Sequence, residues 1–271
     1  MTADLVLSIY PGIDLLGRAF EAEGYTVVRG PDPLWGGDIR AFKPPAGVFG
    51  GVIGGPPCQQ WTRLMFLNKD AGKGMDWVVS EFARVVEEAQ PVWFLMEEVP
   101  YAPMPLAQGY HDYDVVLRDY DVGGVQPRER RFTFGTKDYR MLNVIGWERV
   151  GEGNGETVLA GQHGYAPPPY IRDRSKQPVY AQGGSRAVPV RIGGNGKEKR
   201  THLAGHGRVG REDGSSLGAT DLGDMCEAQG LPRDFTDKMP FTKHGKQLVI
   251  GNGVSMALGR AVAQAVRRAL S

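Results

Sequence analysis

An α/β fold, built on a mostly parallel sheet with covering helices, is predicted by three features of the 271-residue chain. Strand-length apolar runs alternate with helix-period segments through the first 150 residues, the rhythm of successive βαβ units. The first run closes on Pro11-Gly12 and leads into a helix, a turn that lets backbone approach a polar ligand closely. Two later runs end on residues with chemistry to offer, Cys58 after one and Glu97-Glu98 after the next.

Leu5–Tyr10 reads as the first strand, and Leu15–Glu23 as a helix with its apolar face at Leu15, Leu16, Ala19 and Phe20, stopped by Gly24. Thr26–Arg29 is a second short strand, Asp38–Phe42 begins a third element, and Val48–Ile53 is the strand that delivers Cys58. Trp77, Phe82, Val85, Val86 and Ala89 fall on one face of a helix opened by Asp76 as N-cap and ended by Pro91. Val92–Met96 is the next buried strand, and Asp114–Asp121 and Arg131–Gly135 are later ones. Gln247–Ser271 joins a short strand to the helix Ser255–Leu270, and Cys226 is a helix-packing residue.

Two cysteines exclude a disulfide framework and a four-cysteine zinc site, which suits a reducing compartment, with the cytoplasm as the default. The N-terminus lacks a secretory pattern, and no apolar run approaches the roughly 20 residues that span a bilayer, so a soluble protein without a membrane partner is expected. The net charge of +1 hides an uneven distribution. Between residues 171 and 211 ten basic residues, among them Arg172, Arg174, Lys197, Lys199 and Arg200, face two acidic ones in a Gly- and Pro-rich setting. Such a segment reads as loops and short strands with a basic surface suited to phosphate, or as a solvated loop.

Taken singly, the candidate residues leave two roles open. Gly and Pro stiffen the backbone around Cys58, as a nucleophile requires, although a free cysteine is also a common buried structural residue. Asp32 after the second strand can accept two hydrogen bonds from a ribose diol and Asp38 one from an adenine amino group, or both can cap turns. Glu97 can be an acid or a salt-bridge partner.

Together they form an ordered series. Pro57-Cys58-Gln59, Glu97-Glu98-Val99 and Gln126-Pro127-Arg128-Glu129-Arg130 resemble, in order and spacing, three signature motifs of the DNA cytosine-5 methyltransferases. Ser8-Ile9-Tyr10-Pro11-Gly12-Ile13-Asp14 is similar to that family's opening motif without its usual acidic residue at Ser8 and without its paired glycines. Glu227-Ala228-Gln229-Gly230-Leu231-Pro232 and Gly251-Asn252-Gly253-Val254 are similar to its last two motifs.

The resemblance implies a class I S-adenosylmethionine-dependent fold, Rossmann-like with a mostly parallel seven-stranded sheet. It places a catalytic domain at residues 1–136 and 221–271 and a small inserted target-recognition domain of loops and short strands at 137–220. It implies a Cys58 thiolate that adds to carbon 6 of a flipped-out cytosine, making carbon 5 nucleophilic toward the methyl donor. Glu97 is implied as the acid at N3, Arg130 as the contact to the base carbonyl, and Arg128 as a support for Glu97 or the phosphate backbone. The cofactor contacts implied are Tyr10, Gly12, Ile13, Asp32, Asp38, Ile39, Pro57, Asn252 and Val254. Double-stranded DNA is the implied partner of Gln59, Arg63 and the five basic residues named above, with Gln60–Gly74 as a closing loop. A metal-free, monomeric enzyme of a bacterial or phage-type cytoplasm, of the restriction-modification kind, is expected.

One departure stands out. The family motif reads Glu-Asn-Val, and Glu98 replaces an amide that both donates and accepts with a carboxyl that, ionised, only accepts. That departure and the altered opening motif keep a weakened or non-catalytic DNA-binding homologue in view, as well as action on RNA or with a modified donor.

Overall fold

A computed structural model of the protein describes residues 4–57, 77–126, 128–150, 153–158 and 222–271. Strand β1 (Leu5–Ile9) is followed by helix α1 (Leu15–Ala22) and strand β2 (Thr26–Arg29). Strand β3 (Gly51–Gly54), helix α2 (Trp77–Ala89) and strand β4 (Trp93–Glu98) repeat the unit, and strands β5 (His111–Arg118) and β6 (Glu129–Thr136) form a hairpin-like pair. Strands β7 (Ile145–Val150) and β8 (Gly153–Val158) pair antiparallel as a separate two-stranded sheet. Helices α3 (Leu222–Ala228), α4 (Lys243–Asn252) and α5 (Met256–Leu270) complete the described chain.

The main sheet has the order β2-β1-β3-β4-β6-β5. Its first four strands are parallel, and β6 runs antiparallel to both β4 and β5. Strand β3 and the first four residues of β4 are buried and without polar side chains because helices cover both faces. On one face α1 and α5 pack over Val6, Trp93, Leu95, Phe132 and Phe134; on the other α2 packs over Leu7, Val52, Phe94 and Met96. The α1–α5 crossing is close, since a Cβ on Gly259 would stand 2.5 Å from the Cβ of Ala19.

The class of fold is as expected from the sequence, and two elements differ. Six strands form the sheet among the described residues, against the seven implied, and the element that begins at Asp38 is not among them. Asp38 instead caps a 3-10 turn at Ile39–Ala41 by accepting from the backbone N–H of Arg40, and Pro44-Pro45 follows at once, so no ladder forms there. The second difference lies at Gln247–Asn252, which continues helix α4 where a short strand was expected. Thr242 caps that helix by accepting from the N–H of Gly245, and a single turn buries Ile250 and Gly251. The N-cap expected at Asp76 lies outside the described residues.

Candidate active site

The strand order reverses between β1 and β3. From β1 the chain crosses to β2 on one side, and β3 lies on the other, which opens a crevice at the carboxyl ends of the strands where open α/β sheets hold ligands. A cleft of about 370 Å³, open mouth included, occupies that position. Ser8, Ile9 and Tyr10 from β1, Gly54 and Gly55 from β3, and Glu97 from β4 form its floor. Leu15 of α1 and the Asn252-Gly253-Val254 segment after α4 form its walls.

The opening turn is held from several directions. Tyr10 and Asp14 both have left-handed backbone (φ 53° and 56°), as does Gly12. Asp14 is buried, accepts from the N–H of Gly17 and the hydroxyl of Ser8, and lies 2.9 Å from Nε of Arg29. Burial pushes its carboxyl above the usual range, opposed by the Ser8 hydrogen bond and Arg29. The carboxylate missing at Ser8 is thus supplied from Asp14, six residues on, with Ser8 as its donor. Spacing alone marks Asp14 as a helix cap, whereas its return to β1 is a tertiary contact.

Asp32 joins the second strand to this turn. One carboxyl oxygen accepts from the N–H of Gly12 at 2.8 Å and the other from the N–H of Leu34 at 2.7 Å, while the indole of Trp35 donates to the carbonyl of Gly12 at 2.7 Å. Both backbone groups of Gly12 are therefore fixed, and a Cβ there would meet nothing within 4 Å, so the loop faces open space. Trp35 gives no sequence signal for this role, because its partner is a backbone carbonyl 23 residues away. Each Asp32 oxygen has a second lone pair available for a hydroxyl. A ribose-bearing cofactor such as S-adenosylmethionine fits this set: acceptors at the rim, a bare backbone turn, and apolar walls at Leu15 and Val254.

Other expected cofactor residues lie differently. Asp38 is exposed and paired with the guanidinium of Arg40 at 2.8 Å, which holds its carboxyl below the usual range. The Ile39 side chain is 2% exposed and belongs to the core beneath α2, leaving only its backbone to offer; its carbonyl accepts from Arg84. Tyr10 is buried with its hydroxyl donating to the carbonyl of Val78, and burial raises its pKa. Ile13 packs with Leu15 and Cys226, and Pro57 is the last residue described before Cys58.

At the carboxyl end of β4 the side chains alternate faces. Glu97 lies opposite Phe132, two residues from Arg130 on the same face of β6, and the diagonal brings Arg130 Nε within 2.6 Å of Glu97 Oε1. Both are 8% exposed. Parallel pairing of Gly54 with Met96 sets Gly55 beside Glu97, where a Cβ would come 2.8 Å from Oε2; only glycine leaves the carboxylate its place. Glu98, on the opposite face, is 1% exposed. Burial, and secondly the charge of Glu97, raises its pKa to about 8.

Arg128 is not aimed at Glu97 in its main contacts. Its guanidinium donates to the carbonyls of Gly251 (2.5 Å) and Asn252 (3.2 Å), at the carboxyl end of α4, where the helix dipole favours a cation. Beside it, the Gln126 amide donates to the carbonyl of Ala228, and that of Gln229 donates to those of Ile250 and Gly253. Asp119 accepts from the N–H groups of Val125 and Gln126 and from the hydroxyl of Ser255. These buried bonds fix the wall that carries Asn252 and Val254. Glutamines 103 residues apart offer no local sign of such a network. Cys58, Gln59, Arg63, the Gln60–Gly74 segment, Arg172, Arg174, Lys197, Lys199 and Arg200 lie outside the described residues.

A Rossmann-like sheet with a cleft at its switch point is an open α/β fold of the kind that holds nucleotide-bearing ligands. Comparison with known proteins shows what it is similar to: residues 36–102 match the C-5 cytosine-specific DNA methylases. The chain is 32% identical over 114 residues to the type II methyltransferase M.FnuDI of Fusobacterium nucleatum, covering 36% of this chain and 31% of that protein. It is 33% identical over 94 residues to M.HgiDI of Herpetosiphon aurantiacus, covering 31% and 30%. The match thus spans about a third of each relative's length. Among solved structures, a DNA modification methyltransferase encoded within an Escherichia coli prophage superposes over 98% of this chain and 99% of its own with a TM-score of 0.59 at 16% identity. The methyltransferase EhMeth of Entamoeba histolytica does so over 98% of each chain with a TM-score of 0.57 at 14% identity.

Proposed function

We propose that this protein transfers a methyl group from S-adenosylmethionine to carbon 5 of a flipped-out cytosine in double-stranded DNA, through a covalent bond from Cys58 to carbon 6. The observation that carries the reading is the buried Glu97–Arg130 pair beside Gly55, on the strand adjacent to the one that leads to Cys58.

In this reading the Cys58 sulfur donates a lone pair to carbon 6, and electron density moves through the ring toward N3. Glu97 gives N3 a proton and accepts from the exocyclic amino group, which selects cytosine over thymine. Arg130, already within 2.6 Å of Glu97, holds that carboxyl in line and offers an N–H to the base carbonyl. S-adenosylmethionine, when bound by the Gly12 turn, Asp32 and the Asn252–Val254 wall, supplies the methyl group. A base then takes the carbon 5 proton, the electrons of that bond re-form the ring double bond as sulfur leaves carbon 6, and N3 returns its proton to Glu97. Residues 1–136 and 221–271 serve as the catalytic part and 137–220 as the target reader, with DNA phosphates on the basic stretch within it.

The test is a duplex carrying 5-fluorocytosine, in which fluorine blocks the last elimination. Incubated with S-adenosylmethionine, the wild type should form a protein–DNA adduct that survives denaturation, and Cys58→Ala should form none. A wild type that binds both ligands and gives no adduct defeats the reading.

A further inference from the structure

Glu98 lies directly across from Arg131 on β6, where an ion pair would be the ordinary outcome. The pair is not made. The Arg131 guanidinium donates to the carbonyls of Ala102 (2.6 Å) and Pro103 (2.8 Å), with a longer contact to that of Pro100 (3.4 Å), and its Nε lies 3.6 Å from Asp114 of β5. Arg130 is held by Glu97 and by the carbonyl of Glu129. The 99–110 segment after β4 carries no charged residue, and on α2 Arg84 is bonded to Glu81 and Glu88. Glu98 Oε2 accepts from the N–H of Val99 at 2.9 Å, and Oε1 is buried without a hydrogen-bond partner.

A carboxylate so placed would be a buried charge with one hydrogen bond and no cation of its own, while a neutral acid there loses little. We propose that Glu98 works as a neutral acid and is a positioning residue of the Glu97 site: uncharged, it leaves Arg130 wholly to Glu97 and keeps an O–H donor where the family carries an amide. Its ionisation would place a negative charge beside Glu97 and draw Arg130 away from it. The raised pKa of about 8, caused first by burial and then by Glu97, agrees with this and sets the pH range in which the proton is lost. The inference rests on the catalytic reading above only for its consequence in turnover; the protonation state stands by itself.

Two measurements test it with wild type and Glu98→Gln, whose amide keeps a donor and cannot ionise. Difference infrared spectroscopy of the full chain at pH 7 should find a protonated-carboxyl band in the wild type that is gone in Glu98→Gln. In single-turnover adduct formation on the 5-fluorocytosine duplex, the ratio of variant to wild-type rate should be level below pH 7 and rise roughly tenfold per pH unit above about 8. Absence of the infrared band overturns the proposal whether or not the protein is active. A level rate ratio up to pH 9.5 in an active protein, or a folded Glu98→Gln that is inactive at every pH, also overturns it. A wild type with the band and no adduct would defeat the catalytic reading and leave the protonation of Glu98 standing.

Discussion

Gly55 has no room for a side chain beside the candidate catalytic pair. An added methyl would stand 2.8 Å from Glu97 Oε2, so Gly55→Ala must push the carboxyl along β4 and off its line with Arg130. Displacements of this size cost a reaction far more than they cost a fold, and Gly55→Ala should slow adduct formation about 10–100-fold while moving stability by about 1 kcal/mol or less. Rate assays and chemical denaturation read the two separately. Glu98 carries the opposite balance. Its pKa, near 4.5 in an unfolded chain, is about 8 in the fold, so between these values the folded state binds more protons and stability declines as pH rises. The loss begins above the unfolded value and is complete once pH passes the folded one, reaching at most on the order of 5 kcal/mol. Glu98→Gln should therefore gain stability over the wild type progressively from pH 5 to pH 8, and denaturant titrations at three pH values would reveal it. Equal pH slopes for the two proteins would mean that Glu98 is ionised in the fold.

Among the elements, the link between Arg128 and helix α4 is the one that sequence reading placed elsewhere. Arg128 lies just before β6 begins at Glu129, where its guanidinium reaches the carbonyls of Gly251 and Asn252. Arg128→Ala strips charge-assisted bonds from a helix terminus and loosens the segment that ends in Val254. It should cost about 1–3 kcal/mol of stability and weaken S-adenosylmethionine binding, with DNA affinity little changed; calorimetry with each ligand checks this. Lysine at the same place restores one bond of the two and should recover part of the loss. The strands and helices that bury an apolar face, β1, β3, β4, α1, α2 and α5, were legible because periodicity reports burial directly. The stretches left open or misplaced were those decided by caps: Asp38 starts a 3-10 turn, and Thr242 starts a helix across an apolar run that reads locally as strand. Site residues were legible where a motif fixes both type and spacing, as at Glu97 and Arg130. Asp14, Trp35 and the Gln126–Gln229 contact were not, since each works through a backbone group distant in sequence.

At the scale of the whole molecule, the core of the described residues is closed by the C-terminal helix α5. Helix α5 brings Leu258, Val262, Ala263, Ala265 and Val266 to full burial against Val6, Phe20 and Trp93 of the N-terminal half. Each buried Leu or Val contributes about 1.5–3 kcal/mol, so Leu258, Val262 and Val266 alone supply about 5–9 kcal/mol, as large as the whole stability of many domains. The polar junction adds what apolar burial cannot, a fixed direction. Ser255 caps α5 by accepting from the N–H of Leu258 and donates to Asp119, which itself gathers the chain just before β6. A chain ending at residue 221 loses both together. It should not reach the native sheet, giving poorly dispersed amide spectra and no cooperative unfolding transition, and a separately supplied 222–271 fragment should restore both by docking α5 on α1. At the crossing itself Gly259→Val should cost about 2–3 kcal/mol, because its Cβ has 2.5 Å where van der Waals contact needs nearly 4 Å. If instead the 1–221 chain folds cooperatively alone, the N-terminal half closes its own core, and the wall that bears Asn252 and Val254 is an addition to a finished fold.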